Sequence, residues 1–461
     1  MSFWTLDRIT AALNGELLGA RPLGSALFSG IATDTRTIPP RACFVALRGE
    51  NFDAHDFLRD AVSKGAAAVV VSDPKRAADL GVPIFVVKDT LKALWALARY
   101  RRRAWGSGGK PIIAVAGSNG KTTTKELVRG ALATVFEVTA TTGNLNNHVG
   151  VPLTLLSLED SADIAIVEVG TNHPGEVAAL GALVEPTVAI VTSIGEEHLE
   201  GLGDLAGVLR EEVAICQGAA VAITPASQPE IAEAARPLAT RVLSAGLDRG
   251  DVRPSAFDMG TDGFGSLTFD GATARLAIPG EHMLRNAMLA VATAQVCGIP
   301  LAQALPGIAS VSPLPMRGVW RTLGSATLIN DAYNANPASM REAITLLDSL
   351  KTERQRVLVL GSMFELGAKS DAYHREIAER ALNSSAGVVA GVGEFARAFQ
   401  ALGSGNGRVV VADSPDALWP QLQARLQPDA VLLLKASRGM RLERLVPMIE
   451  AWAVGAATQP A

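Results

Sequence analysis

The segment Ile112-Ile113-Ala114-Val115-Ala116-Gly117-Ser118-Asn119-Gly120-Lys121-Thr122-Thr123 begins as five apolar residues and breaks into a glycine-rich turn that ends in Lys-Thr-Thr. A helical pattern follows, with Leu127, Val128, Ala131 and Leu132 on one side. A buried strand that turns through glycines into a helix is the context of a phosphate-binding loop. Glycines let backbone N–H groups approach phosphate oxygens, and the helix N-terminus adds partial positive charge. Lys121 can reach the β and γ phosphates, and Thr122 can ligate magnesium. The strict eight-residue pattern wants Gly at position 115, where this chain has Val, so the match is to a shorter Gly-x-x-Gly-Lys-Thr form. The alternative is an ordinary strand-to-helix turn; Lys121, the three successive threonines and the flanking elements argue against it.

The same grammar extends in both directions. Apolar runs at 66–71, 84–87, 164–169 and 188–191 alternate with longer amphipathic stretches, and further runs follow at 357–360, 388–390 and 431–434. This predicts an α/β protein with parallel sheets. Leu91, Leu94, Trp95 and Ala98 recur at helical spacing, and that helix is expected to end in Arg101, Arg102 and Arg103 as a solvated basic terminus favoured by the dipole. Gly106-Ser107-Gly108-Gly109 and Ser312-Pro313-Leu314-Pro315 are the strongest breaks. They divide the chain into expected domains at 1–107, 108–313 and 314–461.

Bulk properties agree with this division. The chain has 461 residues, room for about three domains at roughly 100 to 200 residues each. It is 48% hydrophobic, 19% charged and 5% aromatic, the composition of a globular protein rich in small aliphatic side chains. A formal charge of -4 provides no general positive field for nucleic acid or an anionic membrane, so phosphate binding must be local. No apolar run approaches the ~20 residues that cross a bilayer, and the N-terminus does not read as a secretory signal; a cytoplasmic location is expected. Cys43, Cys216 and Cys297 are odd in number and far apart, and are expected to be reduced, buried thiols. Ala456 to Ala461 read as a frayed tail.

The loop and three further segments resemble the Mur ligase family. Gly117-Ser118-Asn119-Gly120-Lys121-Thr122-Thr123 is similar to the family's ATP-binding loop, and Gly143-Asn144-Leu145-Asn146-Asn147-His148-Val149-Gly150-Val151-Pro152 to the substrate loop after it. Thr33-Asp34-Thr35-Arg36, with the segment through Phe57, resembles the N-terminal domain that holds a UDP-sugar. In chemical terms Asp34, Thr35 and Arg36 can offer acceptors and donors to a uracil or a diphosphate. Asn330-Asp331-Ala332-Tyr333-Asn334-Ala335-Asn336-Pro337 and Gly361-Ser362-Met363-Phe364-Glu365-Leu366-Gly367 resemble the member that adds D-alanyl-D-alanine. The Asp-Asn-Pro-Arg tetrapeptide of the sibling that adds the diamino acid does not occur.

The resemblance implies three α/β domains: a UDP-substrate domain, a central ATPase with a mostly parallel sheet, and a Rossmann-like C-terminal domain. It implies a monomer that uses ATP and Mg2+ to join D-alanyl-D-alanine to UDP-N-acetylmuramoyl-tripeptide through an acyl phosphate. Residue by residue, it places Gly117 to Thr123, Asn286, Arg317 and Asp331 at the nucleotide. Thr33, Asp34, Thr35, Arg36, Asn144, Asn147, Asn334 and Asn336 fall to the substrates. Lys121, Glu168 and His198 are the expected catalytic residues, and Thr122, Glu168 and His198 are expected at magnesium. Lys435, Ser437 and Arg438 resemble a late motif beside the site.

One departure stands out. Most members carry a lysine that reacts with carbon dioxide to give a carbamate at the second magnesium. Here the family spacing of fourteen residues after His198 lands on Glu212, within Leu209-Arg210-Glu211-Glu212-Val213. Glu212, or alternatively Glu211, is expected to supply a permanent carboxylate in its place. Ser362 and Ala436 also stand where the family has Asp and Gly. The competing functional class is a nucleotide-gated binding protein in which hydrolysis only moves domains.

Overall fold

The computed structural model describes residues 3–13, 16–18, 27–49, 51–403 and 407–457. The chain divides into two compact units. The first comprises Met1–Ile113, Glu137–Val169 and Ala179–Pro186; the second comprises Ala114–Phe136, Gly170–Ala178 and Thr187–Ala461.

The first unit carries a five-stranded sheet of β1 (Glu16–Leu18), β2 (Ile31–Ala32), β3 (Cys43–Val45), β4 (Ala68–Val71) and β5 (Ile84–Val86), in the order β1-β5-β4-β3-β2. All pairs are parallel except β1 with β5. Strands covered on both faces read as continuous apolar runs. Accordingly Cys43, Val45, Ala68 and Val70 pack on Ala93, Leu94 and Leu97 of α1 (Thr90–Gly106), while Phe44, Val69 and Val71 pack on Leu58 and Ala61.

The basic run in α1 corrects the sequence expectation. The helix continues three residues past Arg103, and Arg101 and Arg102 are only 3% and 8% exposed. Arg101 Nε donates to Leu158 O at 3.1 Å, Arg102 Nε to Val184 O at 2.7 Å and Arg102 Nη2 to Glu185 O at 2.8 Å. Only Arg103, paired with Glu185, behaves as a solvated end. A buried guanidinium is tolerable when its N–H groups find acceptors, and here distant main-chain carbonyls supply them.

The chain passes from one unit to the other inside β6 (Ile112–Ala116), all five residues of which are buried. In the first unit, β7 (Val138–Ala140) pairs in parallel with β8 (Ile164–Glu168). In the second, α2 (Lys121–Leu132) buries Leu127, Val128, Ala131 and Leu132, as the helical spacing requires. There β9 (Val188–Val191), β10 (Val221–Pro225) and β11 (Arg241–Ala245) form parallel pairs, with α3 (Leu205–Val213) between the first two in sequence.

An antiparallel sheet not foreseen from the sequence follows: β12 (Ala256–Met259), β13 (Phe264–Phe269) and β14 (Ala272–Pro279). In β14 buried residues alternate with exposed ones, so it lacks the unbroken apolar run that marks its parallel counterparts. Helices α4 (Glu281–Val296) and α5 (Leu301–Ala309) come next. The last sheet comprises β15 (Val319–Leu323), β16 (Ala326–Asp331), β17 (Arg356–Gly361), β18 (Val388–Val392), β19 (Val409–Ala412) and β20 (Val431–Lys435). Their order is β15-β16-β20-β17-β18-β19, parallel apart from the β15–β16 hairpin. Helices α6 (Pro337–Ser349) and α7 (Ser370–Leu382) cover one face through Met340, Ile344, Leu347 and Ile377.

The three cysteines are free; Cys43 and Cys216 are buried as expected, but Cys297 is half-buried. The four C-terminal residues of the expected tail lie outside the described residues. No helix among the described residues is long and apolar enough to cross a membrane.

Candidate nucleotide and ligase site

At the end of β6 the chain turns through Gly117 (φ 119) and Gly120 (φ 84) into α2. Both glycines are required twice over, by the left-handed backbone and by space. A Cβ on Gly117 would lie 2.7 Å from Thr192 N, and one on Gly120 would lie 2.8 Å from both polar atoms of the Asn286 amide. The loop is held from the side: Ser118 N donates to Ser193 O at 2.8 Å, Asn119 N to Ser193 Oγ at 3.0 Å and Gly195 N to Ser118 Oγ at 2.9 Å. Lys121 folds its ammonium over the loop onto Gly117 O and Ser118 O, with Glu197 Oε2 at 3.7 Å. Thr122 and Thr123 are buried in the first turn of α2. Backbone, helix terminus and lysine thus converge as phosphate recognition demands.

Glu212, on α3, is fully buried beneath this loop, and its Oε2 accepts from Gly117 N at 2.6 Å. Burial pushes its carboxyl up to about 8; Lys121 and the Gly117 N–H oppose the rise, and Glu197 adds to it. The Oε1 atoms of Glu212 and Glu197 are both buried and face no donor among the described residues. Glu211 is differently employed. Its oxygens accept from Gly175 N at 2.7 Å, Val177 N at 2.8 Å and Thr171 Oγ1 at 3.2 Å, which leaves Glu212 as the carboxylate at the loop.

His198 sits in the left-handed region at φ 48, with Nδ1 against the Glu365 carboxylate and Nε2 3.8 Å from Glu197 Oε2. Glu197, His198, Asn334, Asn336, Glu365 and Arg438 line a cavity of about 270 Å3. At the end of β16, Asp331 pairs with buried Lys435 at 2.6 Å, and the same ammonium donates to Asn334 O at 3.1 Å. Arg317 lies over the Tyr333 ring, 3.9 Å from its centroid. Ser437 accepts from Phe364 N at 3.1 Å, bracing the strand-end turn that carries Glu365.

Asn336, expected among the substrate contacts, is buried with both ends of its amide engaged within the protein. Its Oδ1 accepts from Ser339 N at 2.9 Å, capping α6, and its Nδ2 donates to Asn119 Oδ1 at 2.9 Å.

In the first unit, Glu168 ends β8 with Oε1 accepting from Asn146 Nδ2 at 2.9 Å. The sequence pattern did not single out Asn146, although it lies in the substrate loop between Asn144 and Asn147. Asn147 Oδ1 instead accepts from Val149 N and Gly150 N at the start of a helix, and Asn144 is exposed. Asp34 and Arg36 form a bidentate exposed pair, and the guanidinium hydrogen bonds lower the Asp34 carboxyl to about 2. Glu197 and Glu365 were also missed as members of the site; their only signal was adjacency to His198 and membership of the Gly361–Gly367 segment.

Comparison with known proteins accounts for nearly the whole chain. Residues 27–102 match the description "Mur ligase family, catalytic domain", 115–294 "Mur ligase middle domain" and 317–438 "Mur ligase, glutamate ligase domain". The UDP-N-acetylmuramoyl-tripeptide--D-alanyl-D-alanine ligase of Escherichia coli is 34% identical over 97% of this chain and 98% of its own length. The Bacillus subtilis enzyme of the same name is 33% identical over 96% and 97%. Among solved structures, MurF from Acinetobacter baumannii superposes with a TM-score of 0.88 at 31% identity, covering 97% of this chain and 99% of that one. MurF from Thermotoga maritima, solved with ADP, gives 0.81 at 26% identity, covering 92% and 98%. With a three-domain α/β architecture matched over nearly its whole length, the chain belongs to the Mur ligase family.

Proposed function

We propose that this chain is an ATP-dependent ligase that joins D-alanyl-D-alanine to UDP-N-acetylmuramoyl-tripeptide in peptidoglycan precursor synthesis. The observation that carries the reading is Lys121. Its ammonium lies on a phosphate loop and within 3.7 Å of Glu197, a wall of the cavity that also takes in His198, Asn334 and Glu365. A peptide carboxylate at neutral pH is a poor electrophile, and transfer of the ATP γ-phosphoryl group makes it an acyl phosphate. The amine of D-alanyl-D-alanine then attacks, releasing phosphate and leaving ADP. Lys121 and the N-terminus of α2 hold the phosphates and offset the charge that gathers there. Asn286, Arg317 and Asp331 serve the nucleotide, Thr33 to Arg36 the UDP moiety, and Asn144, Asn147 and Asn334 the peptide.

Magnesium fits the donors in kind. No three His, Cys, Asp or Glu side chains among the described residues already converge as a metal cage. Yet Glu212 Oε1 and Glu197 Oε1 are buried acceptors without donors, and a hard divalent cation takes such oxygens together with phosphate oxygens. Thr122 and Glu168 would serve one such ion and His198 and Glu212 a second, and the ions would supply charge neutralisation at the transferring phosphoryl group. The remaining parts of the reading are a cytoplasmic monomer and domains at 1–107, 108–313 and 314–461.

The test is product analysis. With ATP and magnesium present, phosphate release should require both UDP-tripeptide and D-alanyl-D-alanine, and mass spectrometry should show the amide product. Phosphate release independent of both would instead favour a nucleotide-gated binding protein.

A further inference from the structure

Helix α6 makes two polar contacts that no catalytic role explains, both on the segments that build the site. At its start, the cap residue Asn336 spends its free amide hydrogens on Asn119 of the phosphate loop, Nδ2 to Oδ1 at 2.9 Å. Just over a turn later, Arg341 Nη1 donates to both oxygens of Glu196 at 3.0 and 3.2 Å. The opposite edge of the same guanidinium grips Glu376 on α7, Nε to Oε1 at 2.8 Å and Nη2 to Oε2 at 3.1 Å. Glu196 is only 8% exposed and directly precedes Glu197 and His198. Between the two contacts, Gly195 lies against Ala338, so close that a Cβ there would be 3.2 Å from the Ala338 methyl.

Arg341 is therefore braced by its own region, residues 317–438, and presents a fixed fork to the middle region, residues 115–294. A planar guanidinium between two carboxylates defines direction as well as distance, which a lysine in its place could not. The segment it holds needs that support, because His198 occupies a left-handed backbone conformation that costs a non-glycine residue energy.

We infer that Arg341 and Asn336 are positioning residues: through one rigid helix they set the phosphate loop at Asn119 and the Glu197–His198 pair at Glu196 in register with each other. This rests on the ligase reading above. Removing the Arg341 fork should cost turnover and leave nucleotide affinity alone, because the loop's own bonds to Ser193 and Gly195 do not pass through Arg341.

The experiment compares Arg341→Gln, Arg341→Lys, Glu196→Gln and Glu376→Gln in the full chain, by steady-state amide formation and by titration with a fluorescent ADP analogue. Arg341→Gln and Glu196→Gln should each lower kcat about 10- to 100-fold, the range for misplacing reacting groups while leaving them all present. The KM for ATP and the ADP affinity should stay within about twofold, since interactions used only in the transition state act on kcat. Combining Arg341→Gln with Glu196→Gln should cost no more than either alone, as for two halves of one ion pair. Arg341→Lys should recover only part of kcat, and Glu376→Gln should fall between wild type and Arg341→Gln. Should an Arg341 variant fail to fold, Glu196→Gln read by the same split carries the test. Unchanged kcat in Arg341→Gln or Glu196→Gln, or a defect confined to KM, overturns the inference while wild-type product formation still stands; absence of the amide product with wild-type protein overturns the ligase reading itself.

Discussion

Replacing Glu212 by Gln and by Ala should separate its structural work from its chemical work. The glutamine amide oxygen can accept from Gly117 N as Oε2 does now, and its NH2 can donate to Glu197 Oε1, which faces no donor among the described residues. The buried acid that burial drives up to about 8 becomes a neutral group with its partners satisfied. Glu212→Gln should therefore be at least as stable as wild type, since a neutral hydrogen-bonded group avoids the cost of a buried charge. Alanine strips the acceptor from Gly117 N, and an orphaned buried donor costs about 1–3 kcal/mol. The missing methylene adds ~0.8 kcal/mol, for a total of about 2–4 kcal/mol. Urea unfolding followed by circular dichroism reads that difference. Activity should rank the variants differently. If the carboxylate replaces a carbamylated lysine at magnesium, both variants lack it, and kcat should fall about 100-fold or more, ~2.7 kcal/mol in barrier. Wild-type activity should also be indifferent to removal of carbon dioxide. A Glu212→Gln protein that turns over within threefold of wild type at saturating magnesium, or a wild type strongly rescued by bicarbonate, would refute the reasoning.

Gly120→Ala forces a Cβ into the Asn286 amide at φ 84 and should destabilise by about 1–2 kcal/mol from backbone handedness alone; adding Asn286→Ala should restore part of the stability and none of the nucleotide affinity. Buried His374 accepts from Met363 N at Nε2 and hydrogen bonds Ser370 O through Nδ1, and burial holds its imidazole below the ordinary value of 6.5. Because the unfolded chain takes up the proton first, stability should be level above about pH 6.5 and fall as pH drops toward the folded value, by up to ~1.4 kcal/mol per unit. His374→Gln should remove that slope in pH-dependent urea melts. Lys121→Met should retain the fold by circular dichroism but lower kcat/KM by about 1,000-fold or more, the scale of deleting a charge that neutralises the transferring phosphoryl group; a smaller decrease would place the phosphates elsewhere.

The parts legible in the sequence share one property: their signal is local. The run Ile112–Ala116 and the turn to Lys121 lie in one window, and strands sheathed on both faces announce themselves as apolar runs. Arg101 and Arg102 read as solvated because nothing near them in sequence reveals the carbonyls at 158, 184 and 185 that receive their N–H groups. The sheet of β12 to β14 went unread because alternation, not continuity, marks a strand with one wet face. Glu212 could be found by its spacing from His198, but its partner Gly117 is 95 residues away. Asn336 carried an overlooked local sign: Asn before Pro, with Ser three residues on, is the pattern of a helix start.

The buried pair of guanidiniums in α1 sets a limit on how the protein can be dissected. A recombinant piece stopping at the glycine break near 107 would contain the whole five-stranded sheet and its covering helix, yet two permanent cations would be left on an apolar face with their acceptors deleted. Excising the amino-terminal quarter by its sequence punctuation would thus yield an aggregating polypeptide, whereas a piece that retains the partners near 158 and 185 keeps those cations neutralised by dipoles.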